Sequence, residues 1–195
     1  MAKEFYGFFD SVAGDERVYD GNDFAQLLKA AVKNGITSHG EDGLKVNCDG
    51  ASLRTVVCPG GCVINGYLYV LSDDGGAPLG FHHVPATGSE RWDRIVARLD
   101  KTVDNRRISL KLLTGLPGGS APELIRNDAI YDISLAKVRI SPEAERLFAE
   151  DIVDERMDEE LCGCGRHIVH SGRIGLDAQL AKCRKRLTTQ NFLFA

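Results

Sequence analysis

Polar and apolar side chains alternate through Arg91-Trp92-Asp93-Arg94-Ile95-Val96-Ala97-Arg98-Leu99-Asp100. Trp92, Arg94, Val96 and Arg98 share one side of this run, and Ile95, Ala97 and Leu99 share the other. A two-residue period of this kind predicts a strand whose two faces meet different surroundings. A second alternating run, Arg107-Ile108-Ser109-Leu110-Lys111-Leu112-Leu113, follows the polar segment 101–106. Asp104 and Asn105 suit a tight turn there, so the two runs predict an antiparallel hairpin.

The period changes near the N-terminus. Phe24, Leu27, Leu28, Ala31 and Val32 recur at the spacing of one helix face, which predicts a helix over 22–34. Asp20 or Asn22 can cap it, and Asn34-Gly35 ends it. The expected place for this helix is with its apolar stripe against a sheet. Residues 1–20 read as an extended arm carrying Phe5, Tyr6, Phe8 and Phe9.

Short strands with glycine turns are expected from Gly43 to about Ser72. Leu44–Cys48 and Ser52–Cys58 flank Asp49-Gly50, and Cys62–Leu71 reads as one long strand with a bulge at Gly66. Phe81–Val84 and Ala129–Ile140 complete the strand set. Ser141-Pro142 predicts a helix start, serine as cap and proline in the first turn, with Leu147 and Phe148 as its buried pair. Near the C-terminus, Leu176, Leu180, Cys183 and Leu187 are spaced 4, 3 and 4, the seam of a short amphipathic helix. The pattern as a whole predicts an α+β fold. It is mainly an antiparallel β sandwich or partly closed barrel, with one N-terminal helix packed on it and a short C-terminal helix. The expected organisation is an arm over 1–20, a domain over 21–163 and a basic tail over 164–195.

Composition narrows the function classes. With 195 residues, 43% hydrophobic and 27% charged, the chain is ordinary for a folded domain. No apolar run approaches the roughly 18 residues of a membrane span, and the N-terminus lacks the apolar core of a secretory signal. Membrane insertion is therefore not expected. Six cysteines are too few for a disulfide scaffold and are read as reduced thiols. The net charge is −4, but Arg166, Arg173, Lys182, Arg184, Lys185 and Arg186 face Asp177 alone in the tail. The tail is thus +5 and the rest −9. Upstream, Glu150, Asp151, Asp154, Glu155, Asp158, Glu159 and Glu160 form an acidic belt broken by Arg156. Contact between belt and tail, within an assembly, is the expectation. Nucleic acid is not an expected partner, because the tail offers one basic cluster and no stacking platform beyond Phe192 and Phe194.

Candidate chemistry is sparse. Cys162, Cys164, His167 and His170 place four potential zinc ligands within nine residues, with Cys58 and Cys62 as further thiols. Cys-x-Cys and His-x-x-His are both tighter than the usual zinc-finger spacings, so buried thiols and exposed histidines are the favoured reading. A cysteine nucleophile served by His82 or His83 is the thiol-catalysis alternative, but no thiol is singled out. The glycines of 115–119 lack the Gly-Lys-Ser/Thr ending of a phosphate-binding loop. The acidic belt lacks the register of a calcium loop. Trp92, the one tryptophan, is read as a core residue ahead of a sugar platform. No catalytic residue, resident metal or cofactor is expected.

Phe8-Phe9-Asp10-Ser11, Gly14-Asp15-Glu16-Arg17-Val18-Tyr19, Asp23-Phe24-Ala25 and Asn34-Gly35-Ile36 occur in an order that resembles a known module. Gly43-Leu44, Val63-Ile64-Asn65-Gly66-Tyr67-Leu68-Tyr69, Arg91–Asp100 and Arg126-Asn127-Asp128-Ala129-Ile130-Tyr131 continue it. Ile152-Val153-Asp154-Glu155-Arg156 and Leu161-Cys162-Gly163 close it. The pattern, over residues 5 to 163, is similar to the N-terminal module of baseplate and tail-fibre proteins of long-tailed phages and prophages of Gram-positive bacteria. The resemblance implies a non-enzymatic virion subunit, made in the host cytoplasm and located in the tail. It implies a homo-oligomer, with a trimer as first expectation, joined to other tail or baseplate proteins and in contact with host-wall saccharide. Only about thirty residues follow the module, which favours an adaptor over a receptor-binding fibre. A small zinc protein and a wall-binding carbohydrate module are the alternatives.

Overall fold

The structure, a computed structural model, describes residues 7–37, 42–73 and 75–165. Its elements in chain order are α1 (Gly21–Ala31), β1 (Gly35–Ile36), β2 (Val46–Cys48), β3 (Arg54–Val57), β4 (Gly60–Ile64), β5 (Tyr67–Leu71), β6 (Gly80–His82), β7 (Arg91–Asp100), β8 (Arg107–Leu113), β9 (Ile130–Ile140) and β10 (Ile152–Asp154). The strands form three sheets, ordered β1-β4-β5, β2-β3-β6 and β10-β9-β7-β8, and every strand pair is antiparallel. The fold is mainly antiparallel β with one α-helix among the described residues, and no sheet closes into a barrel.

The expected hairpin is present: β7 pairs β8 from Arg94 opposite Leu113 to Asp100 opposite Arg107. Its Ile95, Ala97 and Leu99 enter the core, as the alternation predicts. The other neighbour of β7 is β9, and their register shifts between Ile95 and Val96, leaving Leu135 as the extra residue of a bulge. All three sheets contribute to one core, with Ile64 and Cys62, Val46 and Val57, and Ile95, Ile133 and Val138 packed together.

Three expectations are corrected. The segment Cys62–Leu71 is not one bulged strand but the hairpin β4–β5. Asn65 and Gly66 both adopt positive φ, 51° and 84°, the conformation a two-residue primed turn requires. Residues 141–148 are not helical: Pro142 bridges Ala86, Glu143 takes φ 55°, and the chain makes only a 3-10 turn at Ala149–Asp151. Leu147 is buried there, but Phe148 is exposed. The C-terminal helix and the basic tail beyond Gly165 lie outside the described residues, as do Phe5 and Tyr6.

The third correction concerns α1. Asp20 caps it, accepting from the N–H groups of Asn22 (2.8 Å) and Asp23 (3.0 Å), while the Asp23 carboxylate accepts from the Asp20 N–H. The helix ends at Ala31, three residues before the expected stop. Its predicted stripe is only partly covered: Phe24 and Leu27 are exposed, 56% and 46%, Leu28, Ala31 and Val32 are half-buried, and Ala25 is its buried residue. Close backbone approach explains this. A Cβ on Gly66 would sit 1.9 Å from the Ala25 carbonyl oxygen, so the β4–β5 turn presses directly on the helix backbone at Ala25. Asn34 fixes the same junction, accepting from the Asn65 N–H at 2.7 Å.

Candidate functional site

The described chemistry falls into a sealed polar interior, a polar cleft and an exposed aromatic surface. The interior lies along β7 and β9. Asp93 is fully buried and accepts from His83 Nδ1 (2.7 Å), Arg91 Nε (2.7 Å) and the Gly115 N–H (3.1 Å). Thr55 Oγ1 lies 3.1 Å from His83 Nε2. Burial is the largest influence on Asp93 and pushes its pKa up, but the His83, Arg91 and Gly115 hydrogen bonds together hold it below the ordinary carboxylate range.

Carboxylate, imidazole and hydroxyl in this order have the connectivity of a hydrolase triad. Here all three are closed off: Thr55 and Asp93 are 0% exposed and His83 5%. A nucleophile must reach a substrate carbonyl, and Thr55 faces only protein. The network ties β3, the segment after β6, and β7 together. His83, one of the two histidines named in the thiol-catalysis alternative, is held by Thr55 and Asp93, while His82 is exposed on β6.

Further along β7, Arg98 grips the fully buried Asp132 with two hydrogen bonds, 2.8 and 2.9 Å, and Asp132 also accepts from the Ile125 N–H. Arg94 donates to the Pro122 carbonyl and to Glu155 Oε1 at 3.4 Å. Its Nε lies 3.2 Å from Glu155 Oε2 without the alignment of a hydrogen bond, and Ser134 donates to that oxygen at 2.6 Å. The face of β7 that carries Arg94 and Arg98 is therefore covered by the 122–126 and 155–161 segments.

These contacts take up part of the acidic belt. Glu155 pairs with Arg94, Asp151 with Arg139 (3.0 Å) and Asp154 with Arg156 (2.7 Å). Asp158 accepts from the N–H groups of Glu160 and Leu161. Three of the belt's carboxylates thus serve as internal staples, while Glu150, Asp158, Glu159 and Glu160 remain exposed, and the basic tail expected to meet them lies outside the described residues.

Cys62, Cys162 and Cys164 lie near one another around β1, whereas Cys48 and Cys58 lie on and after the β2–β3 pair. Cys62 and Cys162 lie in the core, and burial pushes both thiols up to about 12, so neither is a thiolate at neutral pH. Cys164 is half-buried beside β1, and Cys58 accepts a hydrogen bond from Asn47. Among the described residues no group of three metal-ligating side chains converges. His167 and His170 lie outside them. Trp92 is half-buried, with the Lys137 ammonium 5.1 Å from its ring centroid, so it is neither a core residue nor an open sugar platform.

The cleft, about 270 Å³, lies between α1 and the rim of the sheets. Asn22, Gln26 and Lys29 from one helix face meet Tyr67, Asn127 and Tyr131 across it. The helix thus lines the open cleft with exposed polar side chains and leaves Phe24 and Leu27 on the surface. Phe8 stacks on Tyr19 at 5.1 Å and meets Phe24 edge-on at 6.4 Å, and Phe9 stands exposed beside it. This outward aromatic ridge is the feature that sequence periodicity missed, because a 3.6-residue stripe reports amphipathicity but not which way the helix is docked. Among the described residues no helix is long and apolar enough to cross a membrane. No known protein family, curated protein or solved structure matches the chain.

Proposed function

We propose that this chain is a non-enzymatic structural protein of a phage or prophage tail, an adaptor of the baseplate or fibre that acts by self-association and docking. One observation carries the reading. The chain displays Phe8, Phe9, Phe24 and Leu27 on its surface while its imidazole, hydroxyl and thiol groups at Thr55, His83, Cys62 and Cys162 are closed inside. Aromatic anchors of this kind are what assembled interfaces bury. A sandwich-like scaffold of three sheets, rigid through its internal ion pairs, suits the role. The order of motifs from Phe8 to Gly163 adds the virion setting.

The test is removal of residues 1–19, a cut that keeps the Asp20 cap. The shortened chain should fold with unchanged circular dichroism but lose multimer mass in light scattering. Negative-stain images of the unaltered protein should show closed multi-copy particles. A full chain that stays a lone monomer and turns over a substrate overturns the proposal.

The cleft supports a second reading, contact with host-wall saccharide. Amides and tyrosines such as Asn22, Gln26, Asn127 and Tyr67 offer both hydroxyl partners and ring faces. Binding to isolated cell walls, lost on Gln26→Ala together with Asn127→Ala, would support it. Binding unaffected by that pair would reject it.

A further inference from the structure

The outward ridge has a definite charge. Residues 7–23 carry Asp10, Asp15, Glu16, Asp20 and Asp23 against Arg17 alone, a balance of −4. A partner that fits must bring an apolar stripe of helical spacing together with positive charge. The chain contains such a segment. Residues 176–187 place Leu176, Leu180, Cys183 and Leu187 on one seam and carry Lys182, Arg184, Lys185 and Arg186 against Asp177. The acidic belt also exposes Glu150, Asp158, Glu159 and Glu160, but Asp151, Asp154 and Glu155 are already paired and the belt itself has no α-helix to meet the seam.

We infer that the arm-and-helix ridge of one copy is the docking site for residues 176–187 of a neighbouring copy, a contact that rests on the self-association reading and names its partner. The described chain ends at Gly165, whose N–H bonds the Ile36 carbonyl just beyond the C-terminal end of α1. The ten residues 166–175 can span roughly 33 Å, about twice the length of α1, so the segment can reach beyond its own copy. Laid antiparallel to the neighbour's α1, Leu176 and Leu180 meet the Ala31–Leu27 end. The four cations then arrive beside Asp20, Asp23 and the acidic arm. The two surfaces differ, so the contact is heterologous, and a rotation that closes it makes a ring such as a trimer.

Complementation between two full-length variants tests this. One has a spoiled ridge, Phe24→Asp with Leu27→Asp; the other has a spoiled tail, Leu180→Asp with Leu187→Asp. Each alone should run at the single-chain mass in light scattering. Mixed in equal amounts they should give the two-chain mass, because one supplies an intact ridge and the other an intact tail. Phe24 and Leu27 are exposed, so unchanged circular dichroism is required of the ridge variant; Ala30→Asp on the exposed side of α1 is the milder substitute. A tail variant that keeps the mass of the unaltered chain overturns the inference while leaving self-association intact. Two single-chain variants that fail to associate on mixing also overturn it. An unaltered chain at single-chain mass overturns the self-association reading and this inference with it.

Discussion

The β7–β9 ladder and the arm-α1 unit use the same residue types in opposite ways. Along β7 and β9, Arg91, Arg94, Asp93 and Asp132 are buried and paired, Arg98 is half-buried against Asp132, and Ile95, Ile133 and Val138 fill the space between sheets. On the arm and α1, the polar side chains face a cleft and the phenylalanines face solvent. Burying a charge is costly unless it is matched, and here each one is fixed by a partner on another segment. Such pairs hold loops 122–126 and 155–161 in one position. Beyond the Phe8–Tyr19 and Phe8–Phe24 ring contacts, the exposed faces of these rings gain burial only when another surface covers them. One region is built to be rigid and the other to be covered.

Breaking the rigid region should produce the largest effect. Asp132→Ala leaves the half-buried Arg98 guanidinium without its bidentate partner and the Ile125 N–H without its acceptor, and should lower unfolding stability by about 2–4 kcal/mol in urea titration. Ile95→Ala, at a fully buried position, should cost about 2–5 kcal/mol by the same measurement. Neither change should alter association of the protein that remains folded.

The boundary between the two regions is the Gly66–Ala25 contact. Gly66→Ala adds a methyl group where the Ala25 carbonyl oxygen already sits and where φ is 84°, so α1 must shift. We expect a cost of about 1–3 kcal/mol and faster hydrogen exchange confined to α1 and the β4–β5 turn.

Acidity should loosen the interior selectively. Asp93 is held below its ordinary value, so its contribution is complete at neutral pH and is lost as pH falls below about 4, through the folded-state value. Asp93→Asn should flatten the acid limb of the stability profile. At the alkaline end, Cys62 and Cys162 titrate near 12 instead of 9, so their contribution is complete below pH 9 and is lost as pH rises toward 12. Both thiols should resist alkylation at pH 8 until the protein is unfolded.

Much of the β framework was legible because alternation is a local property. The hairpin of β7 and β8 and the strand β9 follow from it directly. The Asn65-Gly66 turn was legible too, since Asn-Gly is the strongest short hairpin signal, but the long apolar run around it masked the reversal. Ser141-Pro142 misled because capping residues only permit a helix, and the bridge of Pro142 to Ala86 held that segment extended. Arg91 and Asp93 lie two apart on one strand face, which marks them as a pair, whereas the approach of His83 and Thr55 depends on tertiary structure. The outward turn of Phe24 and Leu27 was hidden for the same reason, because it is set by the backbone contact at Gly66.

The central claim is that the exposed ridge exists to be covered while the interior carries the stability. Mass and thermal unfolding of the Phe24→Asp, Leu27→Asp chain test it together. The account predicts a fall from multimer to single-chain mass in light scattering, with the fold retained and its intrinsic stability lowered by no more than about 2 kcal/mol, from the loss of the Phe8–Phe24 contact and the added like charges near Asp20 and Asp23. Unchanged multimer mass, or a collapse of the fold, would contradict it.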